Sequence, residues 1–132
     1  MDLKGKRNSR IRAIQTLYNI ELLDSTVAEA LADASSGVDD DAKDLIVSVM
    51  NAQPRIDEII SSSLTNYSID RLSYVDRAII RVATFEMLNG LSPNIAINEA
   101  LEITKVFSDC GDGKARAFNN KLLDTISKAI GD

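Results

Sequence analysis

Basic side chains are concentrated at the start of the chain. The five cations of the first twelve residues are Lys4, Lys6, Arg7, Arg10 and Arg12. With Asp2 they give this segment a charge of +4, whereas the whole chain is −5, so residues 13–132 carry −9. Cations that oppose the sign of the rest of a protein are typical of a surface that binds a polyanion.

The basic segment runs into an amphipathic helix that could hold its cations on ordered backbone. Gln15 could hydrogen-bond a base edge, and the ring of Tyr18 could stack on a base, a contact worth about 1–3 kcal/mol. Tyr18 also lies on the apolar stripe of that helix, which favours a place in the core for its ring. Two other interpretations stay open, a frayed soluble terminus and a helix lying on an anionic membrane.

Enzyme and metal chemistry have little support in the residue types. The chain has no histidine and one cysteine, Cys110, which excludes a Cys–His or Ser–His nucleophile, a structural zinc site and an internal disulfide. The stretch DCGDG at 109–113 lacks the alternating ligands of a calcium loop, so we interpret it as a turn between helices. We expect no catalytic residue, no metal and no cofactor.

Glu86 is the second residue that the pattern leaves unexplained. It continues the apolar stripe Val75, Ala78, Ile79, Val82 and Ala83 by one helical step. A carboxylate there needs a partner or an interface. The alternatives are an internal ion pair, for example with Arg71 or Arg116, and a contact with another molecule.

Helical periodicity covers almost the whole chain and predicts an all-α fold of about seven helices. The predicted helices are 8–23, 27–34, one from Asp39–Asp41 to Met50, one that restarts at Pro54, 75–88, 95–107 and 114–130. The helix at 75–88 is apolar nearly all round and should lie at the centre of a bundle. Phe107, Phe118, Leu122, Leu123, Ile126 and Ile130 are assigned to inward-facing stripes.

We expect residues 1–132 to form a single domain with a basic segment at 3–12. No apolar run approaches the roughly 18–20 residues that cross a bilayer, so we expect a cytoplasmic protein.

Three blocks of the sequence resemble the NusB family of bacterial transcription antitermination factors. The first is the basic start followed by RIRAIQTLYNIEL, and the second is YSIDRLSYVDRAIIRVATFEML. The third is SPNIAINEALEITKVFS, and AFNNKLLDTI adds a weaker fourth match. The resemblance implies an all-helical fold of two packed small bundles and a non-enzymatic role.

The same resemblance implies partners. NusB-like proteins pair with NusE, a protein of the small ribosomal subunit, and the pair binds the single-stranded boxA element of ribosomal RNA leaders. The complex joins other Nus factors on RNA polymerase and supports ribosomal RNA synthesis. NusB-like proteins occur as monomers and as homodimers.

The resemblance also assigns residues to RNA. The five basic residues match the arginine-rich RNA-binding segment, and Tyr18 matches the tyrosine of the L-Y motif. Tyr67 matches an aromatic RNA contact, and Asp124 lies near the RNA path of the family. Lys121 stands where the family has glycine, and it either adds a phosphate contact or shifts the helix packing.

For the protein partner, Glu86 matches a glutamate in the NusE contact region, with Phe85 and Asn89 beside it. Phe85 replaces the commoner tyrosine and so lacks its hydroxyl.

Two other functions compete with antitermination. One is the NusB-like module of a ribosomal RNA cytosine methyltransferase, an enzyme that would require a Rossmann-like domain and a catalytic cysteine in a long second half, so this alternative applies only if the sequence is a fragment. The other is a helical adaptor that binds only protein and is indifferent to RNA.

Overall fold

The described chain consists of six α-helices and one short 3-10 helix. A computed structural model describes residues 3–33 and 38–131, with side chains for residues 6–32 and 38–131. The helices are α1 (Leu3–Leu23), α2 (Val27–Asp33), α3 (Asp40–Ser63), a 3-10 helix (Ile69–Arg71), α4 (Tyr74–Leu88), α5 (Pro93–Phe107) and α6 (Lys114–Gly131). No strand occurs in these ranges, and the predicted all-α fold is confirmed.

Capping side chains mark the starts of α2 and α3, and a glycine turn marks the end of α4. Thr26 and Glu29 form a reciprocal capping box before α2, with backbone-to-side-chain bonds of 3.1 and 3.2 Å. The Asp39 carboxylate accepts a bond from the Ala42 N–H at the start of α3. After α4, Gly90 adopts a φ of 96°, and Leu91 donates back to the Glu86 carbonyl. This left-handed glycine ends the helix at the rim of the groove described below.

The break predicted at Pro54 does not occur, because α3 continues through that residue. Proline inside a helix costs about 3 kcal/mol. The buried stripe compensates, because Ile46 and Val49 before the proline and Ile56 and Ile60 after it are all fully buried. Pro54 itself lies on the exposed face. The predicted helix that ends at Met50 and the one that restarts at Pro54 are therefore a single helix, α3.

Helix α4 lies at the centre of the fold, as its apolar sequence predicts. It packs on α1, α3, α5 and α6. With α1 and α3 it forms one group of helices, and with α5 and α6 it forms a second. Side chains on most of its circumference are buried, including Ile79, Ile80 and Val82. Both halves of the fold therefore depend on the same helix.

Two phenylalanines predicted to face inward are exposed instead. Phe118 keeps 39% of its accessible surface, and Phe107, the last residue of α5, keeps 42%. On α6 the inward position belongs to Asn119, whose side-chain amide donates to Asp76 at 3.1 Å and Thr104 at 3.2 Å. The prediction for Phe118 is wrong because a polar residue, Asn119, occupies the core position next to it.

Among the helices in the described ranges, none combines the length and apolar character that a bilayer span requires.

Candidate nucleic-acid interface

The basic segment forms the N-terminal turns of α1 and sends its side chains in two directions. Lys6, Arg12 and Gln15 are exposed. Arg12 and Gln15 share a face with Asn19, because residues three and four positions apart are neighbours on a helix. Gln15 therefore has the exposure that its predicted base contact requires. The Lys4 side chain lies outside the described residues.

Arg10 points into the protein, although the sequence predicts that it is one of the RNA-binding cations. Only 5% of the residue is exposed. Its Nε donates to Glu86 Oε1 at 2.7 Å and its Nη2 to Glu86 Oε2 at 2.8 Å. Arg10 lies on the helical face of Ile14 and Leu17, which packs in the core. Its guanidinium holds α1 on α4, and it offers little surface to RNA.

Glu86 thus has an internal partner, though neither of the two arginines that the sequence suggested. The internal pair with Arg10 resolves its position on the apolar stripe. Its side chain keeps 16% exposure, so it is not completely buried.

Arg7 is the intermediate case, half-exposed and paired with Glu99 of α5. Its Nε donates to Glu99 Oε1 at 3.1 Å and its Nη2 to Glu99 Oε2 at 2.6 Å. Glu99 also accepts a longer bond from Arg10 Nη1 at 3.4 Å. The bond from Arg7 lowers the pKa of Glu99, although burial of the carboxylate acts in the opposite direction. The four side chains form a chain of charges, Arg7–Glu99–Arg10–Glu86.

Phe85, Glu86 and Asn89, the predicted partner-binding residues, line one groove of about 990 Å³. The groove lies between the start of α1, the start of α3 and the end of α4. Apolar Leu45 and Leu91 line it beside Phe85. Its acidic lining is Asp41, Asp44 and Glu86, and its basic lining is Lys6 and Arg10.

Aromatic and arginine side chains form a second exposed region, distant in sequence from the basic segment. The rings of Tyr67 and Phe118 have centroids 5.5 Å apart, and the Arg71 guanidinium lies 5.0 Å from the Tyr67 centroid. All three residues are exposed. We call Tyr67, Arg71 and Phe118 the aromatic cluster.

Tyr18 connects α1 to the start of α4 rather than lying free at the surface. It is half-buried and meets Tyr74 edge to face at 6.3 Å. Arg77 lies 4.7 Å from the Tyr74 centroid and reaches Asp70 at 3.8 Å, next to Arg71. These contacts lead from α1 to the 3-10 helix Ile69–Arg71, which also carries Arg71 of the aromatic cluster.

The two predicted RNA residues of α6 are both exposed. Lys121 follows Phe118 by three residues and shares its side of the helix. Exposure of Lys121 answers part of the question raised by the missing glycine, because the side chain does not enter the packing of α6. Asp124 pairs with Lys128 at 3.1 Å.

A further charge network stabilises the fold away from these surfaces. Arg81 makes a bidentate pair with Asp57 at 2.8 and 3.0 Å, and both Arg81 and Arg77 bind Glu21. This network joins α1, α3 and α4. Its two arginines are buried, so they carry charge that the surface does not display.

Sequence reasoning missed Glu99, Arg71, Tyr74 and Phe118 as site residues. The sequence pattern could have identified Glu99, because it lies on the same helical stripe as Ala96, Ala100 and Ile103. Glu86 occupies a similar position on the apolar stripe of α4. The other three had no local signal, since contacts between separate elements create the cluster.

No group of His, Cys, Asp and Glu side chains within residues 6–32 and 38–131 is arranged to hold a metal ion. Cys110 is an exposed free thiol in the loop before α6. In that loop, Asp109 accepts bonds from the backbone of Gly111 and Gly113, as a turn requires.

Comparison with known proteins decides the family. The sequence model of the NusB family matches residues 7–128. This chain belongs to the NusB family. The protein named transcription antitermination protein NusB from Bacillus licheniformis is 38% identical over 129 residues, covering 95% of this chain and 98% of that protein. The NusB of Staphylococcus aureus strain MRSA252 is 37% identical, covering 94% and 99%.

Solved NusB structures share the fold. The structure of T. maritima NusB superposes with a TM-score of 0.80 at 30% identity, covering 92% of this chain and 89% of that one. A crystal structure of the antitermination factors NusB and NusE in complex with dsRNA gives 0.79 at 27% identity, covering 97% and 99%. These matches confirm the predicted class, a transcription antitermination factor that is not an enzyme.

Proposed function

We propose that this chain binds boxA RNA of ribosomal RNA leaders together with NusE and supports ribosomal RNA synthesis. The observation that carries the proposal is the path of contacts from Tyr18 of α1 through Tyr74 and Arg77 to the 3-10 helix, which carries Arg71 of the aromatic cluster. It offers cations at one end and stackable rings at the other. Proteins that bind single strands combine these two features.

The RNA surface in this proposal has two parts. On α1, Lys6 and Arg12 contact phosphates, and Gln15 contacts a base edge. Around the aromatic cluster, Tyr67 and Phe118 stack on bases while Arg71 and Lys121 contact the backbone. Tyr18 supports Tyr74 between them, and Asp124 limits the approach of phosphate beside Lys128.

Exposed rings favour unpaired RNA as the ligand. Bases inside a duplex are already stacked on each other, so aromatic side chains can reach their faces only by unstacking the duplex, whereas unpaired bases offer their faces freely. The solved relative described above carries dsRNA, so single-stranded and duplex forms of the same sequence belong in one experiment. We expect the single strand to bind more tightly.

NusE is the partner that we assign to the groove lined by Phe85, Glu86 and Asn89. Its apolar lining of Leu45, Phe85 and Leu91 suits an anchoring side chain. The acidic residues Asp41 and Asp44 suit basic residues of the partner, since complementary charge across an interface raises the association rate. A second copy of this chain is the competing occupant, and a homodimer would compete with NusE there.

The wider setting follows from the family role. We propose that the RNA-bound pair joins other Nus factors on RNA polymerase in the cytoplasm. One domain over residues 1–132 is consistent with the apolar core, in which side chains from α1, α3, α4, α5 and α6 meet in one cluster.

Fluorescence anisotropy with a labelled boxA RNA tests the proposal. The titrations use the full chain with and without NusE, and the competitors are a scrambled single strand and a boxA duplex. We expect sequence-selective binding that tightens with NusE. Unselective or absent binding in the presence of NusE would instead favour the adaptor that binds only protein.

A further inference from the structure

Arg7 is a cation of the basic segment whose charge is already matched within the protein. Its guanidinium makes two bonds to the two oxygens of Glu99, at 3.1 and 2.6 Å. The side chain of Glu99 is only 5% exposed, whereas that of Arg7 is 41% exposed. A bidentate pair of this kind is the strongest arrangement that an arginine makes with a carboxylate.

The neighbouring contacts leave Glu99 mainly to Arg7. Arg10 reaches Glu99 only through one bond of 3.4 Å, while it makes three shorter bonds to Glu86, of 2.7 to 3.0 Å. Glu99 is therefore not required to neutralise Arg10. Removing its charge would leave the buried Arg10–Glu86 pair intact and release a half-exposed arginine.

We infer that Glu99 is an internal competitor for RNA phosphate that withholds Arg7 from the RNA surface. The inference rests on the proposed RNA function and refines it. In the free protein, Lys6 and Arg12 attract RNA, whereas Arg7 of the same segment is one half of a neutral pair. Glu99, within the block SPNIAINEALEITKVFS, thereby sets how many cations the basic segment offers.

The physical basis is counterion release. A cation that neutralises a phosphate adds about 0.7 to the negative slope of log K against log salt for a single strand. An arginine held by a carboxylate adds less, because its charge is compensated before RNA arrives. A rival role for Glu99 is to orient Arg7 towards the RNA, leaving its other N–H groups to bind phosphate. The two roles predict opposite effects when Glu99 loses its charge.

The variant Glu99→Gln, in the full chain, separates these roles. The amide retains the shape and the acceptor for Arg10 but not the charge. We expect boxA RNA to bind more tightly at low salt, with a slope steeper by about 0.7, which is about 2.6-fold more loss between 50 and 200 mM salt. Glu58→Gln is the matched control, because it removes the same charge from an exposed position on α3.

A double-mutant cycle links the effect to Arg7. Arg7→Ala should weaken RNA binding more in the Glu99→Gln background than in the native chain. A second variant, Arg7→Lys, keeps the charge but cannot form the two-pronged contact with Glu99. It should steepen the slope relative to the native chain, and it tests the inference even if Glu99→Gln fails to fold.

The outcomes are distinct. A steeper slope for Glu99→Gln and Arg7→Lys, absent in Glu58→Gln, supports the inference. Weaker binding or a shallower slope overturns it and assigns Glu99 the orienting role, and an unchanged slope overturns it as well. If the native chain fails to bind boxA RNA with or without NusE, the proposed function itself fails.

Discussion

The basic end of α1 and the aromatic cluster are two surfaces of one proposed RNA site, and they arise in different ways. The basic end is contiguous in sequence, so its charge can be recognised from the sequence alone. Yet Arg10 is buried in an ion pair, and Arg7 is half of another. The aromatic cluster joins Tyr67 and Arg71 to Phe118, which lies on another helix, and all three side chains remain exposed. A count of cations thus overstates the charge available to a ligand, while a scan for local motifs understates the rings available for stacking.

The sharpest test of this comparison separates the structural cation from the surface cations of α1. Arg10→Ala should lower the free energy of unfolding by about 3–5 kcal/mol, because it leaves the largely buried Glu86 carboxylate without its arginine and removes the weaker of the two arginine contacts of Glu99. Arg12→Ala, two residues away and exposed, should change it by less than about 0.5 kcal/mol. Urea denaturation followed by circular dichroism measures both. Equal small losses would mean that the internal network contributes little.

Loss of a ring from the aromatic cluster should affect RNA binding more than loss of a surface cation. Tyr67→Ala or Phe118→Ala should each weaken boxA binding by about 1–3 kcal/mol, because a stacked base loses its platform. The slope against salt should stay constant, since no charge changes. Phe107→Ala is the control, an equally exposed phenylalanine at the end of α5. Similar losses in the control would remove the reason to single out the cluster.

The exposed cations of α1 should show the reverse pattern, a change in slope. The double variant Lys6→Ala and Arg12→Ala should make the slope shallower by about 1.4, so that the loss of affinity from 50 to 200 mM salt shrinks about sevenfold. At high salt its affinity should approach that of the native chain. Lys43→Ala with Arg55→Ala, both exposed on α3, removes the same charge elsewhere. Anisotropy titrations at several salt concentrations measure the slopes, and equal effects in the two double variants would contradict a localised basic surface.

The smallest expected effect is on the pH dependence of the free energy of unfolding. The ion pairs of α1 should contribute to it, and the aromatic cluster should not. The bond from Arg7 lowers the pKa of Glu99 from its ordinary value of 4.5. The unfolded chain therefore binds a proton at this site before the folded chain does, and stability falls as pH drops below 4.5 through the lowered pKa. Glu99→Gln should make this acid limb shallower, whereas Phe118→Ala should leave it unchanged. Unfolding curves from pH 6 to pH 3 compare the two variants, and identical limbs would count against the pair.

Local patterns predicted the helices well because each depends on neighbouring residues. The stripe at 75–88 identified the central helix, and Asp39 marked a real start. The predicted break at Pro54 is wrong because burial of apolar side chains on both sides of it outweighs the cost of the proline. Phe118 was misassigned because Asn119 holds the core position next to it, and only its contacts with Asp76 and Thr104 explain a buried amide there.

By itself the sequence determined the all-helical class, the family and the basic start of α1, because periodicity, motifs and charge are written in consecutive residues. The tertiary structure decided which charged side chains form ion pairs inside the molecule. Arg10 meets Glu86, and Arg7 meets Glu99, only when α1 packs against α4 and α5. It also decided that Tyr67 and Phe118 share one surface. Side chains far apart in the chain pair according to the packing of whole helices, and no local pattern specifies that packing.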